Sequence, residues 1–171
     1  METWEAITSR RNVRAYEDRE LPRGHLDRIL EAGRRSPSSR NWQPWDFVLV
    51  TGRERLQELA RVWRGAGHVA DSAATVAVVA RTPRDSAESE RLHFDLGQAV
   101  MAMMLAAADL GIGSGHAAVA DQDLARELMG LPDDRFCAHL VGLGYPADRP
   151  LKPISRPDRR PFDDVVHVDR W

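Results

Sequence analysis

Cysteine is almost missing from this sequence. Cys137 stands alone, which excludes an intrachain disulfide and any metal cluster built from several thiolates. The six histidines form no His-Glu-x-x-His pattern and no i, i+4 pair, so no metal site is expected. Lysine is scarcer still in proportion, Lys152 being the only one among 24 basic residues. The arginines that replace it have planar forks suited to phosphate, although a bias spread over the whole chain describes composition more than function. Long apolar runs are also missing. The longest uncharged stretch, Leu96 to Ala108, is 13 residues, too short to cross a bilayer. The start, Met1-Glu-Thr-Trp-Glu5, is charged and has no apolar signal core. No membrane partner is therefore expected, and the expected location is the cytoplasm. A net charge of −2 gives no general means of holding nucleic acid.

What is present describes one domain. A chain of 171 residues, 43% hydrophobic and 29% charged, is long enough to bury a substantial core. A single domain over 1–171 is expected, with 146–171 as an extended C-terminal arm.

The most informative stretch is Ser36-Pro-Ser-Ser-Arg-Asn-Trp-Gln-Pro-Trp45. A helical pattern (Leu26, Ile29, Leu30, Gly33) runs into it and should stop before Pro37. The run Phe47–Val50 reads as a strand just after it. Hydroxyls and amides beside two tryptophans suit a flat heteroaromatic ligand with carbonyls and ring nitrogens on its edge. A polar turn whose tryptophans pack on the core is the plainer alternative.

Other elements follow in order. Trp4 to Ser9 reads as a short helix anchored by Trp4 and Ile7. It leads to Arg10-Arg-Asn-Val-Arg14, which is either a phosphate clamp or a solvated basic turn beside Glu17-Asp-Arg-Glu20. Thr51-Gly-Arg-Glu54 reads as a capping box, opening a helix with Leu56, Leu59, Ala60 and Trp63 on one face. Thr75–Ala80 reads as a strand buried on both faces, and Arg81–Glu90 as a surface loop. Arg91–Leu110 is the expected central buried helix, its Met101, Met103 and Met104 filling core. Gly111-Ile-Gly-Ser-Gly-His116 follows a helix, whereas a dinucleotide fingerprint follows a strand, so a Rossmann reading fails on context. Its glycines are expected to cap the helix and to let backbone N–H groups approach a ligand, with His116 a contact or a turn residue.

Asp121 should cap a helix bearing Leu124 and Leu128, stopped at Leu131-Pro132. Cys137–Gly144 reads as a core strand, with Cys137 and His139 on one face. The pair is more simply a buried thiol beside a hydrogen-bonded histidine than a catalytic dyad. Five of the ten prolines fall between Pro146 and Pro161, which excludes a helix or a central strand there. An extended tether ending in a strand over Val165–Val168 is expected, long enough to embrace a second subunit.

Taken together the pieces resemble the flavin-dependent nitroreductase family. The segments that carry the resemblance are Ser9–Tyr16, Pro37-Ser-Ser-x-Asn-x-Gln-Pro-Trp45, and Asp95-Leu-Gly-Gln-Ala with Leu110–Gly115. Val141-Gly-Leu-Gly-Tyr-Pro146 and Arg159–His167 complete it, in register along nearly the whole chain. The resemblance implies an α+β fold, a three-layer α-β-α sandwich with a mostly antiparallel sheet. It also implies a homodimer that exchanges its C-terminal arms, with FMN at the interface. Arg10, Arg11, Asn12 and Arg14 would then contact FMN phosphate, ribityl chain or ring edge, and Arg159 and Arg160 would add a clamp from the arm. Pro37, Ser38, Ser39 and Asn41, with Gln43, would line the flavin from the other subunit. Gly113, Ser114, Gly115 and His116 would lie near its ring.

The implied chemistry is ping-pong hydride transfer from NADH or NADPH, through flavin N5, to a small electron-poor acceptor such as a nitroaromatic or quinone. No side chain need then act as nucleophile or base. Relatives that fragment flavin, dehalogenate or bind deazaflavin, and a flavin-sequestering module with little turnover, are the alternatives. Asn12 stands where the family commonly has Ser, and the region from Trp63 to Arg91 is short.

Overall fold

The run from Ala74 to Ala80 shows no polar alternation, and the computed structural model, which describes residues 1–171, explains this. The run is a central strand covered on both faces. The elements are α1 (Thr3–Ser9), α2 (Arg23–Arg34), β1 (Trp45–Val50), α3 (Arg53–Leu59), β2 (Ala74–Arg81), α4 (Ser86–Asp109), β3 (Gly113–Ala118), α5 (Gln122–Met129) and β4 (Arg135–Gly144). The four strands form one antiparallel sheet in the order β1-β2-β4-β3. Trp45 pairs Ala80 at one edge, and Gly113 pairs Gly144 at the other.

Side chains on one face of β2 and β4 (Val76, Val78, Val141, Leu143) pack against Leu26 and Ile29 of α2 and Leu92, Leu96 and Met103 of α4. The other face (Ala77, Cys137, Leu140) packs against Leu56 and Leu59 of α3, Ala125 of α5, and Val62 and Val69 from 3-10 turns. The result is the expected three-layer α-β-α sandwich. Each fully buried leucine contributes roughly 1.5–3 kcal/mol of apolar burial, so the first of these cores fixes α4 firmly against the sheet. Its register along the sheet then sets where functional side chains emerge.

Several local expectations are corrected. In α1 the inward residues are Ala6 and Ser9, while Trp4 is 73% exposed, so neither Trp4 nor Ile7 anchors it to the core. Thr51 caps nothing, because α3 begins from Gly52 without a side-chain cap, and its buried face is only Leu56 and Leu59. Trp63 lies beyond the helix in extended conformation. The loop over Arg81–Glu90 is much shorter than expected. Asp85 accepts from the Glu88 N–H at 2.7 Å and starts α4 at Ser86. An Asp-x-x-Glu start signal was present in the sequence. Asp85→Ala is expected to cost about 1 kcal/mol in a urea unfolding curve, as for other N-caps.

Met103 and Met104 are core, but Met101 is exposed. Gly111, in left-handed conformation at φ 72°, ends α4 as expected. Gly113-Ser-Gly-His116, however, is the edge strand β3 and not part of a turn. The stop of α5 is Gly130 at φ 64°, ahead of Leu131-Pro132. A bulge between Val78 and Val79 places His139 opposite Val78 and Cys137 opposite Val79, so Cys137 and His139 face different layers. The Cys137 thiol approaches only the His139 carbonyl, at 3.6 Å, and burial pushes it up to about 12. It is an inert core residue.

The proline-rich arm runs back across the molecule as an extended chain. Ala147 N–H donates to Ala15 O, and Ile154 N–H to Thr8 O. Arg11 straps it down through Asp148 (2.6 Å) and the Arg149 carbonyl (2.7 Å). Beyond a short turn at Phe162–Asp164 the expected strand over Val165–Val168 does not form in the single chain, and its side chains are exposed. A strand needs an edge to pair with, and this chain brings none to that segment.

Candidate functional site

The extended segment Arg10–Tyr16 is fixed to the β3–β4 edge of the sheet. Asn12 bridges Ser114, and the Val13 N–H donates to the Ser114 carbonyl at 2.9 Å. The Tyr16 hydroxyl sits 2.8 Å from Val13 O and 3.1 Å from Gly142 O, and burial raises its pKa. The glycines make this approach possible. A Cβ on Gly113 would lie 2.7 Å from Val13 Cγ2, and one on Gly115 would overlap the Val13 carbonyl oxygen. These two glycines therefore admit the chain's own arginine-bearing segment. Ser114 is buried between its neighbours, and His116 is exposed at the edge.

Arg10 is partly buried over Met104 of α4, with Nη1 4.0 Å from its sulfur and 3.4 Å from Asn12 Oδ1. Burial lowers its pKa, and the nearby positive charge of Arg159 lowers it further. Neither guanidinium has a carboxylate within ion-pair distance. Arg159 is exposed and donates from Nη1 to the Asp158 carbonyl; neither cation has a counter-ion, and the partly buried Arg10 is costly unless an anion joins it. Arg14 makes no ion pair and opens on a surface pocket that it shares with Tyr16, Arg53, Asp18 and Asp71. Arg11 is committed to the arm, as above. Arg160 donates to the Asp164 carbonyl at 2.7 Å and so braces the arm's own turn.

The loop Pro37–Pro44 is carried at another point of α4. Ser38 orders it internally: its carbonyl accepts from Asn41 N–H and its hydroxyl from Gln43 N–H, both at 2.9 Å. Arg40, Asn41 and Gln43 all have positive φ (52°, 57° and 49°), which costs roughly 1–2 kcal/mol each for Arg and Gln and less for Asn. Asp95 of α4 holds the strained turn through the Ser39 N–H and the Trp42 indole N–H. Beside it lies a cavity of about 750 Å3, lined in part by Trp42, Gln43, Trp45, Arg84 and Glu88.

In one chain these two groups do not meet. Asp95 and Met104, the points on α4 where they attach, are separated by roughly 13 Å of helix at the α-helical rise. The structure therefore brings together Arg10, Asn12, Gly113–Gly115 and Arg159, and leaves Pro37, Ser38, Ser39, Asn41 and Gln43 as a separate group.

The model of the nitroreductase family matches residues 7–66 and 60–145. The chain belongs to the nitroreductase family. A protein of Archaeoglobus fulgidus, named provisionally as an NADH dehydrogenase/NAD(P)H nitroreductase, is 31% identical over 169 residues, 96% of each chain. The FMN reductase (NAD(P)H) of Bacillus subtilis is 26% identical over 189 residues, covering 99% of this chain and 74% of that one. The structure of an FMN-dependent nitroreductase from Clostridium difficile superposes with a TM-score of 0.84, over 97% of this chain and 98% of that one, at 22% identity. This last likeness shows that the nitroreductase fold is shared.

Two residues at the site of this nitroreductase-family chain were given no role from sequence. Asp95 had a signal: it is the lone carboxylate on an otherwise apolar helix face. His68 had none. It is buried, with Nε2 3.1 Å from Gly115 O, and wedges β3 beside Tyr16. Burial lowers its pKa below the usual 6.5, and burial likewise lowers that of His139. Depressed histidines stay neutral when folded while the unfolded chain takes up protons below about 6.5, so folding stability is lost as pH falls through that value. Thermal midpoints of the apo-protein are expected to be flat above pH 7 and to decline between about pH 6.5 and 5, ahead of the carboxylate range. His68→Gln is expected to flatten part of that slope.

Proposed function

We propose that this protein is an FMN-dependent oxidoreductase that passes a hydride from NADH or NADPH to a small electron-poor acceptor such as a quinone or nitroaromatic. The observation that carries the reading is the uncompensated pair Arg10 and Arg159. A phosphate dianion supplies the missing charge and matches two planar forks. The donor set also fits the rest of FMN. From Arg10 to Arg14 the segment spans roughly 13 Å at the strand rise. It would lay one arginine at the phosphate and the other toward the ring across the ribityl chain, with Asn12 between them for its hydroxyls.

FMN held by these residues would supply the redox chemistry, the capacity to take up and give back a hydride equivalent. The chain's own work is to hold and orient. Arg14 would offer a fixed positive charge to the ring edge, where negative charge would accumulate. Asn41 and Gln43 offer amides to ring carbonyls and nitrogens. Because the loop that bears them lies apart from Arg10 in one chain, the site is completed by a second copy. The exposed arm, with Phe162 (73% exposed) and Val168 (78% exposed), is the segment available to bind that copy.

Anaerobic mixing of the FMN-loaded protein with NADH, then NADPH, followed by a quinone, tests the reading. Flavin absorbance that bleaches with at least one nucleotide and returns with the quinone is the expected result. Flavin that binds but never cycles would favour a sequestering role.

A further inference from the structure

The loop Pro37–Pro44 is strained, and besides the bonds Ser38 makes within it, a single buried group from outside the loop holds it. Asp95 is fully buried. Its Oδ2 accepts from the Ser39 N–H at 3.0 Å and from Trp42 Nε1–H at 2.5 Å, and its Oδ1 accepts from Gln98 Nε2–H at 3.3 Å. No arginine or lysine lies within ion-pair distance of it. A carboxylate taken out of water without a cation is expensive, and a leucine at this place in an Ala-, Met- and Leu-rich helix would serve the fold better. Something other than packing uses the carboxylate oxygens.

The geometry identifies that use. The two residues clamped on Oδ2, Ser39 and Trp42, bracket Arg40 and Asn41, which are the consecutive left-handed residues of the turn. Both are exposed. Left to itself a non-glycine residue relaxes to negative φ, which turns its side chain away from its present direction. One oxygen accepting at both ends of the pair opposes this, together with the Ser38 carbonyl on the Asn41 N–H.

We propose that Asp95 is the positioning residue for the cofactor-lining loop: it fixes the direction of Asn41 by gripping the backbone before it and the indole after it. This rests on the FMN reading above. Asp95 touches no cofactor in this scheme, and acts only through Ser39 and Trp42. The role belongs to hydrogen-bond acceptance, not to charge. An asparagine can keep its carbonyl oxygen toward Ser39 and Trp42 while Gln98 turns its own carbonyl to the new amide.

Two readouts test this, one of them independent of FMN. Limited trypsin digestion of the cofactor-free protein, followed by mass spectrometry, measures cleavage after Arg40. Fluorescence titration measures the FMN dissociation constant. Asp95→Ala is expected to speed cleavage after Arg40 at least tenfold and to weaken FMN binding about tenfold, as a loosened site does. Asp95→Asn is expected to stay within about threefold of wild type in both, since the acceptor survives. Trp42→Phe, which removes one donor from a partly exposed side chain and leaves the core untouched, covers the case in which Asp95→Ala fails to fold. It should shift both readouts in the same direction. Unchanged cleavage and FMN affinity in folded Asp95→Ala or Trp42→Phe would overturn the proposal. So would Asp95→Asn behaving like Asp95→Ala, because charge would then be the active property. Wild-type protein that takes up no FMN removes the cofactor reading instead, and the trypsin comparison still decides whether Asp95 holds the loop.

Discussion

Replacing Gly115 by alanine is expected to destabilise the cofactor-free protein by about 2–3 kcal/mol and to abolish FMN retention. The added methyl would overlap the Val13 carbonyl oxygen and press on His68, whose Cδ2 is 3.2 Å from the Cβ position. A backbone oxygen has nowhere to go without moving its segment. The hydrogen bond from Val13 N–H to the Ser114 carbonyl would break, and Arg10 and Arg14, carried on either side of Val13, would lose their placement. Urea unfolding and equilibrium dialysis against FMN measure the two effects together. Gly97→Ala is the control, because a Cβ there meets nothing within 4 Å and α4 has a helical backbone at that point. It should be stabilising by about 0.5–1 kcal/mol. If Gly115→Ala matches that control, the segment from Arg10 to Arg14 is not held by its contact with β3.

Arg10→Ala is expected to raise the FMN dissociation constant at least 30-fold, about 2 kcal/mol, the scale of a charge-assisted contact with phosphate. The sign of its effect on the cofactor-free protein separates binding from structure. Arg10 sits near Arg159 without a carboxylate between them, so its removal relieves repulsion and should leave the thermal midpoint unchanged or raised. A residue needed for the fold would lower it. Riboflavin, which lacks the phosphate, should bind wild type and variant alike. Arg10→Lys should fall between the two for FMN, because an ammonium neutralises charge but cannot offer the bidentate fork. Loss of riboflavin binding together with FMN binding would mean that Arg10 serves the ring or the fold instead.

The sequence made the long elements legible because their physics is local. The apolar run of β2, the buried stripe of α4 and the paired leucines of α3 each identify their element and its inward face. Short elements and ends were less legible. Gly113–Ala118 has no β-branched residue at all and becomes a strand only because β4 and the Arg10–Tyr16 segment flank it. The lone pattern Cys137-Ala-His139 could not reveal that a bulge would send its two polar residues to opposite layers. Arg11 looks like its neighbours in sequence, yet Asp148, which claims it, lies far along the chain in the arm. The motif residues of the Pro37–Trp45 loop were legible as a group. That they stand apart from Arg10 in one chain follows from the resemblance, which puts them on the other subunit; their anchorage on Asp95 of α4 was not legible, since spacing in sequence says nothing of which end of a distant helix a loop will meet.

The central claim is that this chain holds FMN through the Arg10–Arg159 pair at a site two copies complete. The most direct measurement is the visible absorption spectrum of the purified protein after reconstitution with FMN and gel filtration, with molecular mass recorded on the same column. The account predicts a perturbed flavin spectrum co-eluting with a dimer, at one FMN per chain, and loss of that flavin in Arg10→Ala. A protein that elutes free of flavin after reconstitution would contradict it.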